Sequence, residues 1–205
     1  MRQQGLHSVS MTQDAQQAAQ VAALYTAIGR FAVAFEHVSS ALYDAVLFML
    51  SKEGLKNQQV ANVILADMTA EPLRSLYAAL IGEIRKPVGH EKAVISNILT
   101  RVQNLISKRN DVIHSTWHMD EISSTGELFT TATGHKSKKS NKGASVKFLE
   151  MKVQDFDALT AEASELSKLI GVMTGCHVFD MSINDNFSIG ADKKVTTQVN
   201  FSNNF

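Results

Sequence analysis

The chain predicts an all-α fold: an up-and-down helical bundle with a small inserted β-hairpin arm. Three observations point there. Apolar residues recur at alternating steps of three and four through most of the 205 residues. Proline occurs only twice, at Pro72 and Pro87. Between about residues 119 and 153 the helical period lapses, and Thr, Ser, Gly and Lys take over.

The first stripe runs Val21, Leu24, Ile28, Phe31, Phe35, Val38, Leu42, Ala45 and Met49. Thr12 or Asp14 can cap its start, and Gly54 can end it after Lys52. From Asp14 to Lys52 such a rod would be roughly 58 Å long at 1.5 Å per residue. A bend near Gly29, or an antiparallel partner from a second subunit, would accommodate that length. Residues 1–12 are expected to form a flexible segment. Arg2 is followed by no apolar run, unlike a signal peptide.

A short helix is expected over about Asn57 to Ala66. Thr69, Glu71 and a first-turn Pro72 open the next, striped by Leu73, Leu76, Tyr77, Leu80, Ile81 and Ile84. Pro87 and Gly89 end it. A further helix from near His90 carries Val94, Ile95, Ile98, Leu99, Val102, Leu105 and Ile106, and runs into Arg109 and His114. Met119–Thr131 and Ala144–Val153 then read as the strands of the arm, with Thr133–Ser145 as a polar loop. Asp155 or Asp157 can cap the last helix, striped by Phe156, Leu159, Ala163, Leu166, Ile170 and Met173. Residues 182–205 show little periodicity and read as a flexible tail. A single helical domain is thus expected over 13–181, with the arm inserted at about 119–153.

Composition narrows the function. Hydrophobic residues make up 44%, enough for an ordinary buried core. Twenty basic and twenty acidic residues give zero formal charge, which argues against a protein that coats nucleic acid indiscriminately. The lone Cys176 excludes an intrachain disulfide and favours a reducing, cytoplasmic location. No stretch reaches about 18 uninterrupted apolar residues, so no membrane partner is expected.

The segment Arg109-Asn110-Asp111-Val112-Ile113-His114 carries the chemistry. A guanidinium holds a phosphate with a fork of donors, and an imidazole moves a proton near neutral pH. Together they are the minimum for cutting RNA without a metal. His114 would take the 2′-hydroxyl proton or protonate the leaving 5′-oxygen. Arg109 would stabilise the extra phosphate charge of the transition state, and Asn110 would orient the imidazole or donate to a phosphate oxygen. On one helix Arg109 and His114 stand about 140° apart. Two copies meeting across a two-fold axis would let their Arg and His side chains share one cleft.

The motif of Arg109, with Asn110 after it and His114 four intervening residues on from Arg109, at the end of a helical array, resembles the HEPN domain family. The resemblance covers roughly Val21 to Met173 in helix order, and its sequence-specific part is this motif with Ser115-Thr116-Trp117 after it. It implies an all-α fold, a homodimer joined through the motif helices, and metal-independent endoribonuclease activity on RNA. It also implies the roles such proteins often take, as toxins or anti-phage effectors, for which a neutralising partner protein is expected. Other members are non-catalytic modules for dimerisation or for binding nucleotide, RNA or partner proteins, which is the competing reading.

Lesser candidates surround the motif. Glu36, mid-helix beside His37, could orient His114 or Arg109, though an exposed helix charge is the blander reading. Ser115 and Trp117 are supporting candidates. Lys136, Lys138, Lys139 and Lys142 could touch RNA phosphates, or simply be solvated. His114 and His118, with Asp120 and Glu121, could hold a metal if the segment were helical throughout, but a full ligand set is missing. Cys176 reads as packing. With no Gly-rich phosphate loop, paired zinc cysteines or serine elbow, no cofactor is expected.

Overall fold

The first apolar stripe folds as one unbroken helix, α1 (Gln4–Lys52), which passes through Gly29. It begins well before Thr12, where the flexible segment was expected. No proline lies between Gln4 and Asp14, so nothing stops an established helix from extending by further turns. The computed structural model describes residues 4–119, 131–140 and 143–197. It is mostly α-helical, with two small antiparallel sheets among the described residues. Five further helices follow among the described residues: α2 (Gln58–Leu65), α3 (Ala70–Arg85), α4 (Gly89–Ile113), α5 (Val153–Val178) and the short α6 (Ile183–Asn186).

Local chemistry sets these boundaries. Asn57 Oδ1 accepts from the backbone N–H groups of Gln59 and Val60 at 3.1 and 3.2 Å, capping α2. Pro72 sits in the first turn of α3, and Lys86, left-handed at φ 50°, ends that helix. The Asp155 carboxylate accepts from the Lys152 N–H at 2.7 Å and closes the first turn of α5.

Where one domain was expected over 13–181, the contacts group into two compact units, and α1, α4 and α5 each supply residues to both. The larger unit comprises Ala34–Lys108 and Ala161–Phe205. Its core includes Leu42, Met49, Tyr77, Ile98, Leu166 and Ile170, all buried and all from the expected stripes. Arg101 binds both carboxylate oxygens of Glu162, at 2.7 and 2.9 Å, and reaches Glu165 at 2.9 Å. This fork fastens α5 to α4.

The supposed tail is structured as far as Thr197. After α6, strands β4 (Phe187–Ile189) and β5 (Val195–Thr197) pair antiparallel, and Ile183, Phe187 and Val195 are buried. Asn97 of α4 donates to the Lys193 carbonyl at 2.9 Å and ties the turn down. Three anchors spaced four and eight residues apart are too sparse to register as periodicity. Residues 198–205 lie outside the described residues.

The smaller unit comprises Met1–Val33 and Arg109–Thr160. Leu24, Ala27 and Phe31 of α1 and Phe156 of α5 are buried in it. Arg30 pairs with Asp157 at 2.8 Å. The arm is a three-stranded antiparallel sheet, β1 (Thr116–Met119), β2 (Thr131–Ser140) and β3 (Gly143–Lys152), in the order β1-β2-β3. Thr133–Ser145, expected as a polar loop, is therefore mostly strand. Its polar residues serve both faces, so the usual alternation of apolar and polar residues is hidden. Most of the expected strand Met119–Thr131, residues 120–130, falls outside the described residues.

By length and mean hydropathy α1 is, among the described residues, the one helix apolar enough to cross a membrane, over Ala15–Lys52. Charged Arg30, Glu36 and Asp44 interrupt it, so it fails the stricter test of an uninterrupted apolar run. Only 28% of its most apolar 18-residue window is buried. Some apolar residues of α1 remain exposed, Tyr25 and Val33 at 61% each.

Candidate functional site

The last turns of α4 leave the apolar stripe after Ile106 and enter Ser107-Lys108-Arg109-Asn110. Arg109 and Asn110 are half-buried, Asp111 and Val112 are buried, and the helix ends at Ile113. His114 follows in an exposed turn. The Arg109 Nη1 approaches Asn110 Oδ1 at 3.4 Å, a long contact that orients the amide oxygen toward the guanidinium.

A helix end leaves its last carbonyls without partners in the helix. Here three side chains supply them in succession. Lys136 Nζ donates to the Asn110 carbonyl at 2.7 Å, Ser115 Oγ to Asp111 at 2.6 Å, and Trp117 Nε1 to Val112 at 2.9 Å. Ser115 and Trp117 thus cap the motif helix. Trp117 also sets its ring edge against Phe156, with centroids 5.3 Å apart.

The group least visible from sequence is Asp111. Lys136 and Lys147 stand directly opposite each other on β2 and β3, where two like charges repel. The Asp111 carboxylate bridges them, binding Lys136 at 3.1 Å and Lys147 through its other oxygen. Burial pushes the Asp111 carboxyl up, but the Lys147 and Lys136 ammoniums outweigh it and hold the group below the usual carboxylate range. This clamp docks the sheet on the end of α4 and fixes the backbone that leads into His114.

Lys136, a candidate RNA contact, therefore turns inward to the clamp. Lys138 and Lys139 stand on β2 and Lys142 follows the strand, but the surroundings of all three lie outside the described residues. Glu36 is an exposed residue of α1 and belongs to the larger unit. His118 lies on β1, so it does not share a helix face with His114 as the metal reading required. Asp120 and Glu121 are outside the described residues, and among those described no cluster of three His, Cys, Asp or Glu side chains could hold a metal ion. Cys176 is buried, and burial pushes its thiol up, which suits packing rather than nucleophilic attack.

Gly134 lies opposite Trp117 in the sheet and takes the ring against its backbone. A Cβ there would stand 3.0 Å from Trp117 Cη2 and Cζ3. The ring is pinned by its bond to Val112 and its contact with Phe156, so it cannot easily yield. Gly134→Ala is expected to destabilise the protein by about 1–3 kcal/mol, read from a denaturant midpoint. A midpoint at or above that of the parent would mean the ring has room to move.

Compared with protein families, with curated proteins and with solved structures, the chain matches none.

Proposed function

We propose that the protein is a metal-independent endoribonuclease of HEPN type, acting as a homodimer in which Arg109, Asn110 and His114 of both protomers share one cleft. The observation that carries this reading is the exposed imidazole of His114, placed immediately beyond the half-buried Arg109-Asn110 pair on a helix end held rigid by the Asp111 clamp. A catalytic proton carrier must reach solvent and substrate, while the phosphate-holding group gains from a fixed mount.

The 2′-oxygen of a ribose attacks the adjacent phosphorus, and the bond from phosphorus to the 5′-oxygen breaks. One imidazole accepts the 2′-hydroxyl proton, and the partner's His114 gives a proton to the leaving 5′-oxygen. Arg109 holds the non-bridging oxygens. The products are a 2′,3′-cyclic phosphate and a 5′-hydroxyl. An activity of this kind suits a cytoplasmic toxin or anti-phage effector kept in check by a neutralising partner protein.

The test is incubation of the purified protein with RNA in excess chelator. Cleavage with 2′,3′-cyclic phosphate ends, and no cutting of DNA of the same sequence, is the expected result. A pure dimer that leaves RNA intact would instead favour a non-catalytic module for binding RNA, nucleotide or a partner.

A further inference from the structure

Strand alternation gives the three-stranded sheet two unlike faces. Trp117, Gly134, Lys136 and Leu149 lie on the face that meets α4 and Phe156. The other face carries His118, His135 and Phe148, one from each strand. The rings form a continuous row, with centroids 5.5 Å apart from His118 to His135 and 4.8 Å from His135 to Phe148. All three are exposed; Phe148 keeps 65% of its surface in water, and Val146 beside it on the same face keeps 52%. Antiparallel sheets commonly present a polar face to solvent, so an outward row of rings needs another explanation.

Charge identifies the occupant. The chain as a whole is neutral, yet the ribbon from Thr131 to Lys152 holds six lysines against one acidic residue, Glu150. The Asp111 clamp holds two of them, Lys136 and Lys147, on the opposite face and offsets one positive charge, and Glu150 stands on the face of the rings, so the ribbon as a whole stays net positive. A strongly basic ribbon with aromatic rings on an open sheet face is the combination that holds single-stranded nucleic acid: rings stack on bases, and lysines neutralise phosphates. A duplex hides its base faces and could use only the charge. His114 lies four residues before His118, within roughly 13 Å along an extended chain, so a strand seated on the rings would pass close to it.

We propose that the outward face formed by His118, His135 and Phe148 is a base-stacking platform that delivers single-stranded RNA to the His114 site. The platform deepens the ribonuclease reading and rests on it for the choice of RNA.

The experiment uses the full chain and a fluorescent 2′-O-methyl oligoribonucleotide of mixed sequence, which has no free 2′-hydroxyl and cannot be cut. Binding is followed by anisotropy for the parent, Phe148→Ala and His135→Ala, each checked for an unchanged melting temperature. Both positions are exposed, so folding should survive. Each substitution is expected to weaken binding about 5- to 100-fold. Val63→Ala, at an exposed position on α2, should leave it unchanged. The same oligonucleotide annealed to its complement should bind the parent more weakly than the single strand. No binding by the parent, equal affinity in the ring variants, or equal affinity for duplex and single strand would each overturn the platform. If the oligonucleotide binds as expected but RNA is not cut, the ribonuclease reading fails while the platform stands. If RNA is cut and Phe148→Ala binds like the parent, the platform alone fails.

Discussion

His114→Ala is expected to slow RNA cleavage by about 10²–10⁴-fold, the usual contribution of a positioned general acid or base. The substitution removes a side chain that is exposed and lies beyond the end of α4, so secondary structure should be unchanged and stability should stay within about 0.5 kcal/mol of the parent. Arg109→Ala is expected to cost about 10²–10³-fold through lost transition-state stabilisation. Arg109→Lys should recover little of it, because an ammonium cannot reproduce the planar fork. Initial rates on a labelled RNA, with anisotropy run in parallel, separate loss of chemistry from loss of binding. Full cleavage by both alanine variants would remove the catalytic proposal. If His114→Ala instead dissolves the dimer, the motif is architectural.

Asp111→Ala is expected to destabilise the protein by about 2–4 kcal/mol. Removing one partner of a buried ion pair is costly because the charges left behind have no counterpart. Here two ammoniums face each other across β2 and β3 once the carboxylate is gone. The Asp111 side chain is only 10% exposed, but Lys147 is 41% exposed, which places the expected loss below that of a fully buried pair. The Asp111 carboxyl is held low in the folded state, so its contribution is present above the unfolded carboxylate range. It is lost as pH falls through the folded value. Denaturant titrations should therefore show the gap between parent and Asp111→Ala narrowing below about pH 4. A gap that stays constant from neutral pH to well below that range would mean the carboxylate contributes nothing through its charge.

The helices were legible because burial of one face imposes its own period. Val94, Ile98, Val102 and Leu105 announce α4 in the sequence and are all buried in the structure. The sheet was half legible. Thr and Gly enrichment marks an extended region, but β2 carries Lys136 inward and His135 outward, so polarity does not distinguish its faces. The Asp111 clamp was barely legible. It depends on Lys136 and Lys147 being cross-strand neighbours, a fact of register that no local pattern encodes. The one available signal was an acidic residue inside the motif followed by a lysine-rich ribbon that needs a counter-charge. Trp117 was noticed as a neighbour of the motif, but its bond to the Val112 carbonyl belongs to the fold of β1 back along α4. The motif itself is visible as three residue types at a fixed spacing, and the structure places His114 in an exposed turn.

The trailing end of a helix is ordinarily a poor neighbour for an anion, because its backbone dipoles gather negative potential there. Here an ammonium, a hydroxyl and an indole N–H each donate to an outermost oxygen. That potential is spent on side chains of the same molecule, and one of them brings a full positive charge. A polyanion approaching the imidazole just beyond meets far less repulsion than a bare terminus would offer.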